Sequence, residues 1–360
     1  MQLDRLWLTD FRNYASTELV PAPDGLTLIA GANGAGKTNL LEAIGYLATL
    51  RSFRGAPGDA LVRVGAGRAI VRGKVRRGER ALLLEAELLP AGRDRVHVNR
   101  QPLRRTRDLL GALQVTVFAP DDLALVKAGP QGRRSYLDDL LAALHVRHDS
   151  LRTEVERIVR QRNALLKQAG GNPHPPTDVV TTLDVWDQKL AETGTALADA
   201  RDDLVAVLRP EVAIAYTQVA DRSTDVVSTY HRSWSGPLAS ALESSRAEDL
   251  RRGVTTVGPH HDDLLISLDG LSSRTHSSQG EQRSLALALR LAGHRVVADA
   301  IDSAPVLLLD DVFSELDHDR ADALLSCLPG GQTLLTTAGS IPVRAHPAAI
   351  FRVEDGKVLR

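Results

Sequence analysis

The chain has 360 residues, a formal net charge of −1 and 25% charged residues. This length suffices for two or three compact domains, and the near-zero net charge excludes a uniformly basic protein. The single cysteine, Cys327, excludes an internal disulfide and favours a reducing compartment. The first residues lack the apolar core of a signal peptide, and no apolar run reaches the ~20 residues of a membrane span. We therefore expect a cytoplasmic protein without a membrane partner.

Short strands separated by turns occupy the first third of the chain. Residues 1–9 and 26–30 have strand patterns, and the second is a continuous apolar run typical of a buried strand. An apolar helix is expected over 39–50. Between 59 and 105, short strands alternate with glycine turns, which predicts antiparallel hairpins, and a further strand is expected at 115–118.

Two long helical patterns follow, over residues 130–168 and 180–209. The segment 169–178 separates them with glycine and proline, so we expect a helical hairpin arm. The remaining elements are expected to be a helix over 245–253, a strand from 263, a helix starting near Ser278, an apolar strand ending at Asp311, a helix from about 318, a strand over 333–337 and a terminal hairpin. This order predicts an α/β fold with a mainly helical insertion.

A glycine-rich loop, "GANGAGKT" from Gly31 to Thr38, matches G-x-x-x-x-G-K-[ST] between a strand and a helix. Backbone N–H groups of such a loop face a phosphate, with the lysine near the β- and γ-phosphates of ATP and the threonine on Mg²⁺. The alternative is a glycine turn that only caps a helix. The residues expected to bind ATP here are Gly31, Asn33, Gly34, Gly36, Lys37, Thr38 and Asn39.

The segment "VLLLDD" is an apolar strand that ends in two carboxylates, Asp310 and Asp311. A charge at the end of a buried strand must be paired or bind a metal. We expect Asp310 to bind Mg²⁺ together with Thr38, and Asp311 to orient the water that attacks ATP. The alternative is a strand-end aspartate that caps the next helix.

A second glycine-centred helix start lies at "SSQGEQR", with Ser278 as its expected N-cap. Ser278, Gly280 and Glu281 would offer a hydroxyl, close backbone approach and helix N–H groups to an anion. Because the first loop already holds one side of the nucleotide, we expect this turn to bind the γ-phosphate of ATP held by another protomer. A surface helix cap is the alternative.

The order of these motifs, followed by "SELD" (314–317), resembles the ABC-type ATPases. In that class the S-x-G turn is the signature motif, and two heads dimerise head-to-tail around two ATP molecules. Three more segments narrow the resemblance to the RecF family of bacterial recombination mediators: "FRNY" at 11–14, "FAPDDLALVKAGPQGRRSYLDDLL" at 118–141 and "VGPHHDDLLISL" at 257–268.

The resemblance implies an ABC-type ATPase head, built from a P-loop core sheet and an antiparallel β subdomain, over residues 1–120 and 255–360. It implies an inserted mainly helical domain with a helical hairpin arm over 121–254. The function it implies is an ATP-dependent homodimeric clamp on duplex DNA at gaps and single-strand/double-strand junctions, without sequence specificity. RecR, RecO and RecA would be its partners, with RecA loading in recombinational repair as the outcome.

Departures from the usual ABC pattern bear on the rate of ATP hydrolysis. Glu281 stands where many relatives have Gln, and residues 336–338 lack the usual switch histidine. Asp311 stands where transporter-type relatives have Glu. These changes predict slow ATP hydrolysis, and the resemblance implies a weak, DNA-stimulated ATPase. Arg12 and Asn13 are expected beside the phosphate loop as ATP contacts, with simple turn chemistry as the alternative.

Residues 51–110 contain 15 Lys/Arg against 6 Asp/Glu. This local excess predicts a DNA-facing surface, and an ordinary solvated face paired with acids is the alternative. Aromatic residues are scarce there, so phosphate contact with a duplex is favoured over base stacking. The residues expected to touch DNA are Arg51, Arg54, Arg72, Lys74, Arg76 and Arg77.

The run "HHDD" from His260 to Asp263 suggests metal binding, but adjacent strand residues point to opposite faces and cannot share one ion. The resemblance implies that it positions the signature helix. Arg133 and Arg134 either pair with acids of the arm or face DNA. Two other functions compete with a DNA clamp: a transporter ATPase subunit, which the basic stretch disfavours, and a P-loop kinase, which leaves the S-x-G turn unexplained.

Overall fold

The computed structural model describes residues 1–171, 176–220, 222–316, 318–339 and 344–360, with the backbone alone at positions 315 and 318. Residues 172–175 of the expected break between the helices, and Asp317 of "SELD", lie outside the described residues.

The strands are β1 Gln2–Phe11, β2 Tyr14–Leu19, β3 Gly25–Ala30, β4 Ala69–Arg77, β5 Arg80–Leu88, β6 Arg95–Val98, β7 Gln101–Pro102, β8 Val115–Phe118, β9 Val226–His231, β10 Asp263–Leu268, β11 Leu271–Ser272, β12 Val306–Asp310, β13 Gln332–Thr337, β14 Ala349–Glu354 and β15 Lys357–Leu359. The helices are α1 Lys37–Thr49, α2 Gly58–Leu61, α3 Leu123–Lys127, α4 Pro130–Leu144, α5 Val146–Gln168, α6 Thr177–Ala220, α7 Leu238–Arg252, α8 Ser273–His276, α9 Gln279–Ile301 and α10 His318–Cys327. Short 3-10 turns cover Thr106–Leu109, Pro120–Asp122 and Val312–Glu315.

The chain divides into two compact units. The first comprises Met1–Asp122, Ile214–Ser223 and Ser284–Arg360, and the second comprises Leu123–Ala213 and Thr224–Arg283. These boundaries differ from those expected from the sequence. Residues 255–283 belong to the second unit because β10 pairs with β9, and residues 214–223 belong to the first.

The first unit contains a mainly parallel sheet in the order β15-β14-β3-β13-β12-β8, in which β15 alone runs antiparallel to its neighbour. Strand β13 lies between β3 and β12. Because these three strands are parallel, their carboxyl ends meet at one edge of the sheet, where ligands bind in open α/β sheets. The phosphate loop follows β3, and the two aspartates end β12.

A second sheet of the same unit is antiparallel, in the order β2-β1-β4-β5-β6-β7. Buried residues of β1, α1 and β12 form a single hydrophobic core, including Leu3, Leu6, Leu40, Ile44 and Leu308. Helix α1 thereby joins the antiparallel sheet to the parallel sheet, and burial of its apolar face fixes the position of the loop at its N-terminus. The predicted α/β fold with an antiparallel β subdomain is confirmed.

The second unit combines helices with the sheet β11-β10-β9. The expected single helix over 130–168 is wrong, since His145 is extended (φ −155, ψ 119) and separates α4 from α5. The expected end at 209 is also wrong, since α6 continues through Pro210 to Ala220. Pro210 is exposed, and it has no N–H to donate to the carbonyl group four residues earlier. Because this side of the helix faces solvent, that carbonyl can accept from water instead. The sequence also failed to predict β2 and β9.

Candidate nucleotide-binding site

The phosphate loop has a backbone that only glycine can adopt at key positions. Gly34 and Gly36 have φ values of 81° and 113°. A Cβ on Gly36 would lie 2.5 Å from the amide nitrogen of Asn13, and a Cβ on Gly31 would lie 2.5 Å from the carbonyl oxygen of Val353. The sequence predicted a tight glycine loop, and the structure gives the steric reason for two of its glycines.

Lys37 lies inside this loop, with only 6% of its surface exposed. Its Nζ donates to the carbonyl oxygens of Gly31 and Ala32, both at 2.8 Å. Burial lowers the pKa of the Lys37 ammonium, and the nearby carboxylates of Asp311 and Asp310 oppose this effect. A compact ammonium held by two loop carbonyls lies where a bound phosphate would meet it.

Thr38 and Asp310 meet at the edge of the parallel sheet. The Thr38 hydroxyl donates to Asp310 Oδ1 at 2.8 Å, and the Thr336 hydroxyl at the end of β13 donates to the same oxygen at 2.8 Å. Burial raises the pKa of the Asp310 carboxyl, against the effect of these two hydrogen bonds. A hydroxyl and a carboxylate side by side are hard oxygen ligands, so these residues fit Mg²⁺.

Asp311 has a left-handed backbone, with φ 48°. Its N–H donates to the Thr336 hydroxyl at 3.0 Å. Its Oδ1 is buried and, among the described residues, has no hydrogen-bond partner. An unpartnered buried carboxylate oxygen beside a phosphate loop is an acceptor that a water molecule can satisfy. Thr336 thus orients both aspartates, a role for which no sequence motif gave a signal.

Arg12 and Asn13 lie beside the phosphate loop, at the turn between β1 and β2. Arg12 forms a bidentate pair with the buried Glu42 of α1, with both N···O distances 2.8 Å. The Asn13 amide donates to the carbonyl oxygen of Ala35 at 2.9 Å and accepts from the Asn39 amide at 2.8 Å. The first hairpin is therefore fastened to α1 and to the loop by side chains. Asn33, at the exposed crest of the loop, faces solvent.

Arg54, one of the residues expected to contact DNA, lies near the phosphate loop. One guanidinium nitrogen is 3.5 Å from Asn39 Oδ1, and its charge acts to lower the pKa of Asp310. Arg51 is exposed near the end of α1. Arg54 is thus close enough to favour the ionised form of the Asp310 carboxyl.

The other residues expected to contact DNA lie on or at the end of β4, where Arg72, Lys74 and Arg76 point outward. Two of them are charge-paired: Arg72 with Glu85, and Arg76 with Asp4 at 2.8 Å. Arg77 donates to the carbonyl oxygen of Ile301 at 2.8 Å. Most of this face therefore matches the alternative of a charge-paired surface.

The signature turn is closed by a reciprocal pair of hydrogen bonds. The Ser278 N–H donates to Glu281 Oε2 at 2.8 Å, and the Glu281 N–H donates to Ser278 Oγ at 3.3 Å. This arrangement is a capping box at the start of α9. Gln282 connects the turn to α8, since its amide donates to the carbonyl oxygen of Ser273 at 3.2 Å. Gly280 is half-buried within the turn.

The "HHDD" run is engaged within the second unit. His260 and His261 have Nε2 atoms 3.3 Å and 3.0 Å from the carbonyl oxygen of Thr255. Asp262 is fully buried and accepts from the hydroxyl of Tyr230. No group of three or more His, Cys, Asp or Glu in the described part of the chain could hold a metal ion.

Asp263 accepts a bidentate pair from Arg133, at 2.7 Å and 2.8 Å. Arg134 donates to the carbonyl oxygen of Asp262 at 2.8 Å. Both arginines therefore bind within the second unit, Arg133 to a carboxylate of β10 rather than of the arm, and Arg134 to a main-chain carbonyl. A further buried ion pair, Arg201 with Asp138 at 2.8 Å, connects α6 to α4. The sequence analysis did not predict this pair.

The sequence profile described as the RecF/RecN/SMC N terminal domain matches residues 2–334. The chain is 44% identical to the DNA replication and repair protein RecF of Frankia alni, and each chain is covered in full. The chain belongs to the RecF family. The RecF of Streptomyces avermitilis is also 44% identical, again with both chains covered in full.

Solved structures support the same family and fold. A structure described as the recombination mediator protein RecF with ATP in the RecFOR pathway is 31% identical, with a TM-score of 0.90, and 99% of this chain and 96% of that chain are covered. An SMC head bound to the C-winged helix domain of ScpA is 16% identical, with a TM-score of 0.58 and coverage of 100% and 96%; it shows the fold alone. The predicted ABC-type head and the resemblance to the RecF family are confirmed. No helix in the described residues is long and apolar enough to cross a membrane.

Proposed function

We propose that this chain is an ATP-dependent recombination mediator that dimerises around ATP and binds duplex DNA. The observation that carries this proposal is the contact between Thr38 and Asp310, at 2.8 Å. It joins a complete phosphate loop to the strand-end carboxylate that ABC-type ATPases use for Mg²⁺. RecF relatives at 44% identity, named for DNA replication and repair, support the role in DNA metabolism.

The nucleotide site assigns a task to each group. The loop N–H groups and Lys37 bind the β- and γ-phosphates, and Asn13 holds the loop in shape. Thr38 and Asp310 would hold Mg²⁺, which would neutralise charge on the phosphate oxygens. Asp311, through its unpartnered Oδ1, orients the attacking water. With Asp at this position and no histidine in the sequence just after β13, we expect slow ATP hydrolysis. We propose that DNA stimulates it, as the RecF family resemblance implies.

The signature turn supplies the reason for dimerisation. Ser278, Gly280 and Glu281 open helix α9 and present N–H groups to an anion. We propose that they bind the γ-phosphate of ATP held by a second copy of the chain. The name of the solved relative places that protein in the RecFOR pathway, so RecR and RecO are proposed as partners here. RecA loading at gaps and single-strand/double-strand junctions, without sequence specificity, is the proposed outcome.

Analytical ultracentrifugation tests this proposal. The protein is sedimented with ATP and Mg²⁺, with ADP, and without nucleotide, each with and without short duplex DNA. We expect a dimer only with ATP, strengthened by DNA. A monomer under every condition would contradict the trans role of the signature turn and favour a single-chain P-loop kinase.

A further inference from the structure

A cluster of unpaired positive charge in the first unit lies at the far edge of its antiparallel sheet. This arginine edge comprises Arg93, Arg95, Arg100, Arg104, Arg105 and Arg107. All six side chains are exposed. They lie in or beside β6, the edge strand β7 and the 3-10 turn that follows. Arg95 has a distant carboxylate, Glu87 Oε2, at 3.9 Å. In the described part of the chain, the other five guanidinium groups form no ion pair.

Few carboxylates neutralise this edge. Asp94 is engaged elsewhere, accepting from the Tyr46 hydroxyl at 2.7 Å and from the Leu89 N–H at 3.2 Å. Asp108 is the other acid in the stretch. This contrasts with β4, where Arg72 and Arg76 are held by carboxylates of neighbouring strands. The excess of positive charge counted from the sequence therefore remains available at residues 93–107, whereas on β4 much of it is already neutralised.

Lys74 extends the positive charge from β4 toward this edge. Lys74 lies opposite Leu83 in the register of β4 and β5, and the Asn99 N–H donates to the carbonyl oxygen of Leu83 at 2.8 Å. Neighbouring strands are about 4.8 Å apart. Lys74 is therefore in the same cross-strand row as Asn99, the residue that precedes Arg100. We count Lys74 as the β4 cation that extends the arginine edge.

The chemistry of the arginine edge fits a polyanion better than a folded protein. Protein interfaces centre on buried apolar or aromatic side chains, but the large exposed apolar residues of the described chain include none between Val64 and Val146. Protection of a sheet edge against aggregation accounts for charge beside β7. It does not account for Arg104, Arg105 and Arg107, which lie beyond that strand.

We propose that the arginine edge is the surface that contacts the phosphates of duplex DNA. The inference deepens the proposed function, on which it rests, and moves the main DNA contacts from β4 to residues 93–107. Contacts through guanidinium groups to phosphate carry no base information, so the surface binds without sequence preference.

Two charge-matched double variants test this assignment. The first, Arg104→Gln with Arg105→Gln, removes two cations of the edge; the second, Arg72→Gln with Arg76→Gln, removes two cations that are paired on β4. Duplex binding is followed by fluorescence anisotropy with ATP and Mg²⁺ between roughly 50 and 200 mM salt. For the edge variant, we expect the slope of log Kobs against log salt to become shallower by about one unit for each arginine that contacts phosphate. The β4 variant should keep the wild-type slope, and both should bind ATP like the wild type.

An edge variant that keeps the wild-type affinity and slope would overturn the proposal and reassign the edge to an acidic protein partner. Equal losses in both variants would also overturn it, because general charge would then explain the effect. If the wild-type chain does not bind duplex under any nucleotide condition, the proposed DNA-binding function fails with it. If the wild type binds duplex DNA and the edge variant binds it equally well, only the assignment of the surface is wrong, and the proposed DNA-binding function is not contradicted.

Discussion

The hydroxyl of Thr38 donates to the carboxylate of Asp310 at 2.8 Å, although the two residues are 272 positions apart in the chain. Thr38 comes just after the loop that follows β3, and Asp310 is the last residue of β12. Strand β13 lies between these two strands in the same sheet. Thr336 of β13 donates to the same Asp310 oxygen. The three parallel strands therefore bring the hydroxyl and carboxylate oxygens proposed to bind Mg²⁺ together at one edge of the sheet.

Asp310→Asn should stabilise the nucleotide-free protein and abolish Mg²⁺-dependent ATP binding. Burial raises the pKa of the Asp310 carboxyl, so its ionisation costs more free energy in the folded state than in the unfolded state, and stability from this group is lost as pH rises through that raised pKa. Asn removes the buried charge and still accepts from Thr38, so we expect a gain of roughly 0.5–2 kcal/mol at neutral pH. Urea denaturation and ATP titration measure both effects. The exposed Asp24→Asn is the control; lower stability of Asp310→Asn would contradict the argument.

Lys37→Arg should abolish ATP-driven dimerisation. The lysine ammonium is surrounded by the carbonyls of Gly31 and Ala32 in a space with 6% exposure, and a planar guanidinium does not fit there. Sedimentation with ATP checks the result. Lys74→Arg makes the same change at an exposed position of β4 and should dimerise normally. If the Lys37→Arg protein still dimerises with ATP, the proposed role of Lys37 in ATP binding is wrong.

Asp311→Asn should bind ATP, accumulate as dimers and hydrolyse ATP at least ~10²-fold more slowly, since the group that orients water is lost. The substitution preserves the fold because Asn tolerates the left-handed backbone at φ 48°, and the bond from its N–H to Thr336 does not involve the side chain. Steady-state phosphate release and sedimentation measure the two effects. Turnover equal to the wild type would refute a role in hydrolysis.

Much of the nucleotide site could be predicted from the sequence because its parts are local. A strand, a glycine loop and a helix are contiguous around Lys37, and Asp310 ends its own apolar strand. Thr336 was missed because its two contacts depend on strand order, which no short motif encodes. The capping bond between Ser278 and Glu281 spans three residues and could have been predicted from the S-x-x-E pattern.

The pairing of the β4 arginines was missed for a related physical reason. Arg72 and Arg76 look free in the sequence, yet register places them beside Glu85 and Asp4 of neighbouring strands. Counting charges over 51–110 could locate a basic region but could not separate paired from unpaired cations. The same limit applies to Arg133, whose partner Asp263 is 130 positions away.

His294 should make the first unit sensitive to acid. It is 1% exposed, and burial lowers the pKa of its imidazole to about 4. The folded state therefore favours neutral His294, so its contribution to stability is complete above pH ~6.5 and falls as pH drops toward ~4, by at most about 1.4 kcal/mol per pH unit. His294→Gln keeps a polar partner for Thr116 and should flatten this dependence in urea denaturation. The exposed His346→Gln should not; equal slopes for all three proteins would exclude His294 as the cause.

Glu281→Gln should favour ATP-driven dimers. The Glu281 carboxylate accepts the Ser278 N–H at 2.8 Å. It therefore occupies a donor of the turn and adds negative charge where the γ-phosphate of ATP held by a second protomer would arrive. Gln keeps an acceptor for the cap but removes the charge. A repulsion of about 1 kcal/mol near the surface corresponds to a roughly 5-fold lower ATP concentration for half-maximal dimerisation.

Ser278→Arg, in the same turn as Glu281→Gln, should have the opposite effect on dimerisation. Its long cation would block the approach of a second protomer, so we expect normal ATP affinity in the monomer and no dimer. Sedimentation across an ATP titration, with ATP affinity measured on dilute protein, separates the two variants. If Ser278→Arg weakens ATP binding by the monomer, the turn acts on ATP of its own chain. If Glu281→Gln requires as much ATP as the wild type, the carboxylate does not oppose the arriving phosphate and serves only as a helix cap.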